Sequence, residues 1–187
     1  MNFFEQMKTI NICACGPLRI SAGFFNAGLL REGSKIATIT SQGGSVDWRT
    51  VQNPNGHDYG HHVSVEANNN WSDDKDSTSC CFLVVCLSHE RIISPFQPNE
   101  FQMSKAAANM GCVLLAQELK HKGVMVGIYH PGFNRTAMTA KYKDIWDIEG
   151  AVEPTIGAKR LLHEIGGLSM EKSGKFINCE DGLEIPW

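Results

Sequence analysis

Three short stretches of this chain put hydroxyl, ammonium and turn-forming groups where structural elements end. Ser41 closes Lys35-Ile-Ala-Thr-Ile-Thr40, a run rich in β-branched residues, and Gln-Gly-Gly44 follows it. Ser104-Lys105-Ala-Ala-Ala opens the clearest helical stretch. His130-Pro131-Gly132 breaks a second apolar run, Val124–Tyr129, and Thr136 stands a few residues beyond. The C-terminal ends of parallel strands are where open α/β sheets bind small molecules, so these groups are candidates for holding a ligand. Other chemistries find no support. No Gly-x-Gly-x-x-Gly follows a strand, and Ser173-Gly174-Lys175 lacks the upstream glycine of a P-loop, so no phosphate-cradling loop is recognisable. The seven cysteines, at 13, 15, 80, 81, 86, 112 and 179, form no Cys-x-x-Cys pair, and no histidine is spaced to complete a zinc site. No metal is expected, and the thiols read as reduced packing residues of a cytoplasmic protein.

The elements that must position these groups follow from periodicity. Apolar residues from Phe3 to Leu29 recur at helical spacing, with Pro17 as a kink or turn and Arg31-Glu-Gly-Ser34 as the stop. Lys35–Thr40 reads as a buried strand, and 46–58 as a polar loop with Asn-Pro-Asn-Gly turn chemistry. The spacing predicts a helix over 104–122, with Ala107, Met110, Leu114, Leu115 and Leu119 as its apolar face and Gly123 as its close. A strand at 124–129, a helix from Pro154 to Ile165 and a strand at 174–179 complete the order. Helices alternating with short buried strands indicate an α/β sheet with parallel strands.

Composition bounds the rest. The chain has 187 residues, 42% of them hydrophobic, and a formal net charge of -3. That suits one globular domain and offers no basic stripe for nucleic acid. No apolar run approaches the roughly 18 residues of a membrane helix, and no secretory signal is visible at the N-terminus.

Taken in order, Lys35-Ile-Ala-Thr-Ile-Thr-Ser41-x-x-Gly44, Ser104-Lys105-Ala-Ala, Gly123-Val-x-Val-x-x-x-His-Pro-Gly132-x-x-x-Thr136 and Asp181-Gly-x-x-x-Pro-Trp187 resemble the short-chain dehydrogenase/reductase family, in particular its C-factor-like branch. The resemblance covers about 3–62 and 103–187. It implies part of a doubly wound Rossmann-like α/β fold, the C-terminal part of the family's parallel sheet, with three strands plus helices in a single incomplete domain over 1–187. It implies NAD or NADP as cofactor and reversible hydride transfer with a small carbonyl or alcohol. By the same resemblance Ser41 would hold the substrate oxygen. Lys105 would hold the nicotinamide ribose and lower the pKa of the acid/base, and Pro131, Gly132 and Thr136 would fit the nicotinamide end. The family's glycine-rich βαβ unit would lie ahead of residue 1. An N-terminally truncated chain of this kind is expected to be inactive alone and to self-associate through Lys35–Thr40 as an open sheet edge; a catalytically dead fragment or interaction module is the alternative. An unrelated α/β binding protein is the remaining reading.

Residues 63–102 interrupt this pattern. They carry an acidic excess, Asn68-Asn-Asn70 and an abrupt apolar cluster, Cys80–Leu87, without clear periodicity. Removing them joins Tyr59-Gly-His-His62 to Met103-Ser-Lys-Ala-Ala-Ala, which restores the family-like start of the helix. The segment opens on Val-Ser and closes on Phe-Gln, which can be encoded as typical intron ends, so it reads as a translated retained intron whose deletion would help solubility. In the joined reading the family's tyrosine position, four before Lys105, is held by His61. Tyr59 stands two residues too early. The two are the candidate acid/base groups.

Overall fold

The computed structural model describes residues 3–52, 81–85 and 98–187. Its centre is a four-stranded sheet with all pairings parallel, in the order β2-β1-β3-β4. The strands are β1 (Lys35–Ile39), β2 (Cys81–Val85), β3 (Met125–His130) and β4 (Phe176–Asn178). The three expected strands are present. The fourth comes from the segment expected to stand outside the fold: Cys81–Val85 lies beside β1 in register from Lys35↔Cys81 to Ile39↔Val85. Thus β1 is an inner strand, not the open edge that truncation would leave, because the apolar cluster fills the neighbouring lane.

Alternation along the strands divides the core. Ile36, Val126, Ile128 and Phe176 point to one face and pack on Cys112, Ala116 and Leu119 of α4 (Pro98–Leu119). Ala37, Ile39, Tyr129 and Ile177 point to the other, against Leu161 and Ile165 of α5 (Pro154–Gly166). Helices on both faces of a parallel sheet make the doubly wound α/β architecture of the Rossmann-like folds.

The expected first helix is two: α1 (Phe3–Cys13) and α2 (Cys15–Asn26), broken at Ala14. Pro17 does not kink it. It sits in the first turn of α2, where a backbone N–H has no intrahelical partner to lose. Residues 46–52, expected as loop, form α3 (Val46–Gln52). Ser45 Oγ accepts from Trp48 N at 2.9 Å, an N-cap, and donates to the Pro186 carbonyl at 2.5 Å, which ties the C-terminal tail to this turn.

α4 begins at Pro98, ahead of the expected start at Ser104, and its buried face differs in part from the expected one. Ser104, Lys105, Ala108, Asn109, Cys112, Ala116 and Leu119 are inside, while Met110 and Leu114 are 61% and 56% exposed. Much of the inner face is small or polar; Leu119 of the expected face is inside and Leu115 packs against the core, while Met110 and Leu114 belong to the outer face. Among the described residues no helix is long and apolar enough to cross a membrane.

Candidate functional site

The C-terminal ends of β1 and β3 and the first turns of α4 meet at one edge of the sheet. Ser41, with extended φ/ψ of -140° and 144°, starts a 3-10 turn at Gln42–Gly44, and its Oγ accepts from Gly43 N at 3.1 Å. That bond fixes where Oγ stands. The turn rests directly on α4. A Cβ built on Gly44 would lie 2.7 Å from Lys105 C and 2.8 Å from both Ala106 N and Asn109 Nδ2. Only a residue without a side chain allows this approach. Ser41 and Lys105, from distant parts of the sequence, are therefore carried by backbones in contact, and both are only 2% exposed.

The loop after β3 forms the neighbouring wall. Thr40 N donates to Tyr129 O at 2.8 Å, so the two strand ends stay paired as the chain leaves the sheet. Pro131 turns the chain, and Gly132 takes φ +83°, where a Cβ would also collide with Glu180. Glu180 Oε1 accepts from Phe133 N at 3.3 Å. Asn134 Nδ2 donates to the Pro131 and Gly132 carbonyls at 3.1 and 3.0 Å, which knits the turn to itself. Thr136 is half-buried, and its N–H donates to Thr139 Oγ1 at 3.0 Å while that hydroxyl donates to Asn134 O at 2.6 Å. Pro131, Gly132 and Thr136 thus belong to one rigid, internally bonded loop beside the Ser41 turn. Tyr59 and His61 lie outside the described residues.

The site also holds residues to which the sequence assigned no role. Thr40, Asn109 and His130 are 2%, 1% and 1% exposed, and all three lie on the α4 side of the sheet. The one signal for Asn109 is its place four residues after Lys105, on the same helix face.

Buried thiols add no nucleophile. Burial raises the Cys112 thiol above its ordinary pKa, against a smaller opposing effect from its hydrogen bond to Thr38 Oγ1 at 3.3 Å. Cys179 is pushed up to about 12, first by burial and then by the negative charges of Glu164, Glu180 and Asp181. Both are protonated at neutral pH and so are inert packing groups. Among the described residues no group of His, Cys, Asp and Glu could hold a metal ion.

Known proteins resemble the chain as follows. No family model matches it. It is 24% identical over 193 residues to the C-signal protein of Myxococcus xanthus, a match that takes in 100% of this chain and 81% of that one. Over 87 residues it is 34% identical to 1-hydroxy-2-glutathionyl-2-methyl-3-butene dehydrogenase of Rhodococcus sp. (strain AD45), covering 46% of this chain and 37% of the relative. Among solved structures, the NADPH-bound carbonyl reductase from chicken fatty liver superposes with a TM-score of 0.68 at 20% identity. Carbonyl reductase Sniffer of D. melanogaster superposes with 0.62 at 16% identity. Each covers 100% of this chain, which spans 59% of the length of either structure.

Proposed function

We propose that this chain, a member of the short-chain dehydrogenase/reductase family, carries the catalytic side of an NAD(P)-dependent oxidoreductase acting on a small carbonyl or alcohol. The observation that carries the reading is the seating of the Ser41–Gly44 turn on the Lys105 turn of α4 at the C-terminal edge of a parallel sheet. The groups gathered there suit the nicotinamide half of the cofactor: a buried ammonium for ribose hydroxyls, and a rigid Pro131–Thr136 loop with backbone groups for a carboxamide. The bound cofactor supplies or accepts the hydride. Ser41 would hydrogen-bond the substrate oxygen and so hold the carbonyl group in place. Lys105 orients the ribose, and its positive charge lowers the pKa of the acid/base. Tyr59 or His61 gives that oxygen a proton as the carbon gains hydride, and takes it back in alcohol oxidation. We place the protein in the cytoplasm, where its thiols stay reduced.

The second reading is a catalytically silent interaction module. It draws on the exposed Phe3, Phe4 and Met7 of α1 and Met103, Met110 and Leu114 of α4, apolar side chains that self-association would cover. A melting experiment with NADPH or NADH separates the two. Cofactor at 100 times its dissociation constant should stabilise the chain by about 2.7 kcal/mol, and Lys105→Ala should lose that shift. A melting temperature indifferent to both nucleotides would leave only the module.

A further inference from the structure

A polar seam runs between β1 and α4 and ends beneath Ser41. At one point on it Cys112 Sγ donates to Thr38 Oγ1 at 3.3 Å. Further along, Gly44 faces Lys105, Ala106 and the Asn109 amide so closely that a Cβ built on it would lie within 2.8 Å of each. The strand end and the helix therefore run in opposite senses: moving from Thr38 towards Gly44 moves from Cys112 back towards Lys105. Thr40, two residues after Thr38, shares its face, and Asn109, three residues before Cys112, shares that of Cys112. Both steps lead to the same level of the seam. His130 stands there too, one register step past the Ile39↔Tyr129 pair.

Thr40 Oγ1 and both polar atoms of the Asn109 side chain are buried and have no hydrogen-bond partner among the described residues. Leaving a buried polar group unsatisfied costs about 1–3 kcal/mol. Two such groups at one level of one seam, offering donors and acceptors together, make the setting in which a buried water bonds about three polar partners.

We propose that Thr40 and Asn109 hold an ordered water between β1 and α4, and that through it they are positioning residues for the Ser41–Gly44 turn and Lys105. The water ties the last residue before Ser41 to the helix turn after Lys105. It rests on the function proposed above only in treating Ser41 and Lys105 as the working groups; its tests need neither cofactor nor turnover.

The first test is a double-mutant cycle in urea with Thr40→Val and Asn109→Leu, which keep shape and remove polarity. With a shared water, each single change strands the other partner. Each should lower the folding equilibrium constant by about fivefold or more, and the double variant should be no worse than the worse single. If each single change instead raises stability and the effects add, the groups share no water and the proposal fails.

The second test reads positioning. The Gly44 and Ser45 amides bond to the Ser41 and Gln42 carbonyls, both at 2.9 Å. In Asn109→Leu their hydrogen exchange should rise about tenfold relative to core amides such as Ile128, which report global opening. Thr40→Ser, which keeps the hydroxyl, should retain the native ratio. Exchange of turn and core amides rising in equal proportion in Asn109→Leu would reduce both residues to packing and overturn the positioning role.

Discussion

Replacing Gly44 by alanine is the sharpest test of how the site is assembled. Ordinary carbon contacts lie at about 3.5–4.0 Å. The added methyl would stand 2.7 Å from the Lys105 carbonyl carbon and 2.8 Å from Ala106 N. Both are helix backbone, so no side-chain rotation relieves the overlap, and either the turn lifts or the first half of α4 shifts. Overpacking costs about 1–3 kcal/mol, and rigid neighbours put this case near 3. For a chain of this size that lowers the melting temperature by about 6–12 °C. Gly43 supplies the control. A Cβ there meets Ser41 Oγ at 3.4 Å and the flexible Gln102 side chain at 3.5 Å, ordinary contact, so Gly43→Ala should stay within about 1 kcal/mol of the parent. Urea and thermal unfolding followed by circular dichroism measure both. A Gly44→Ala variant as stable as Gly43→Ala would refute the close seating of the turn, and with it the argument that joins Ser41 to Lys105.

Deleting 63–102 removes the strand paired along the whole of β1, so the variant should unfold at a lower temperature and elute as larger species by light scattering; equal stability would mean that β2 does not hold the sheet. Gly23 lies inside α2 with nothing within 4 Å of a built Cβ, so Gly23→Ala should add about 0.5–1 kcal/mol, read from the urea midpoint. The half-buried Cys15 should react with a thiol reagent on the native protein at pH 8 while Cys13, Cys112 and Cys179 react only after unfolding, as peptide mapping would show. Because the Cys179 thiol is raised from 9.0 to about 12, the folded state keeps its proton when the unfolded state has lost it; its contribution to stability is complete below pH 9 and falls by about 1.4 kcal/mol per pH unit up to 12, a slope that Cys179→Ala should abolish.

Strand and helix order was legible because buried strands and amphipathic helices differ in period, and β1, β3, β4 and α5 follow that rule. Two features escaped it for physical reasons. The cluster at 80–87 announces an apolar segment, but a parallel strand has no local partner, and nothing in its composition says that it pairs with Lys35–Ile39. In α4 the residues facing the sheet are small or polar along much of its length, so part of the apolar signal came from Met110 and Leu114, which face outward. A helix laid close against a sheet needs small residues at the contact, and a helix that lines a site needs polar ones. Both demands erase the hydrophobic stripe that periodicity seeks.

The same division explains which parts of the site could be read. Ser41, Pro131, Gly132 and Thr136 stand at or just beyond strand ends, and Lys105, expected at a helix start, lies inside α4; their types and spacing are informative along the chain itself. Asn109 is unremarkable in sequence, and Thr40 and His130 read only as the ends of their strands; the opposed run of β1 and α4 brings 40 towards the level of 109. That arrangement splits α4 into two functional lengths. From Cys112 to Leu119 it packs on Ile36, Val126, Ile128 and Phe176 and gains stability by apolar burial. From Ser104 to Asn109 it buries hydroxyl, ammonium and amide groups, which gain nothing by burial and hold their place only when bonded. The apolar length anchors the helix, so that the backbone around Lys105 seats against the Ser41–Gly44 turn at a fixed height, and a change in either length is felt in the other as a shift along one rigid helix.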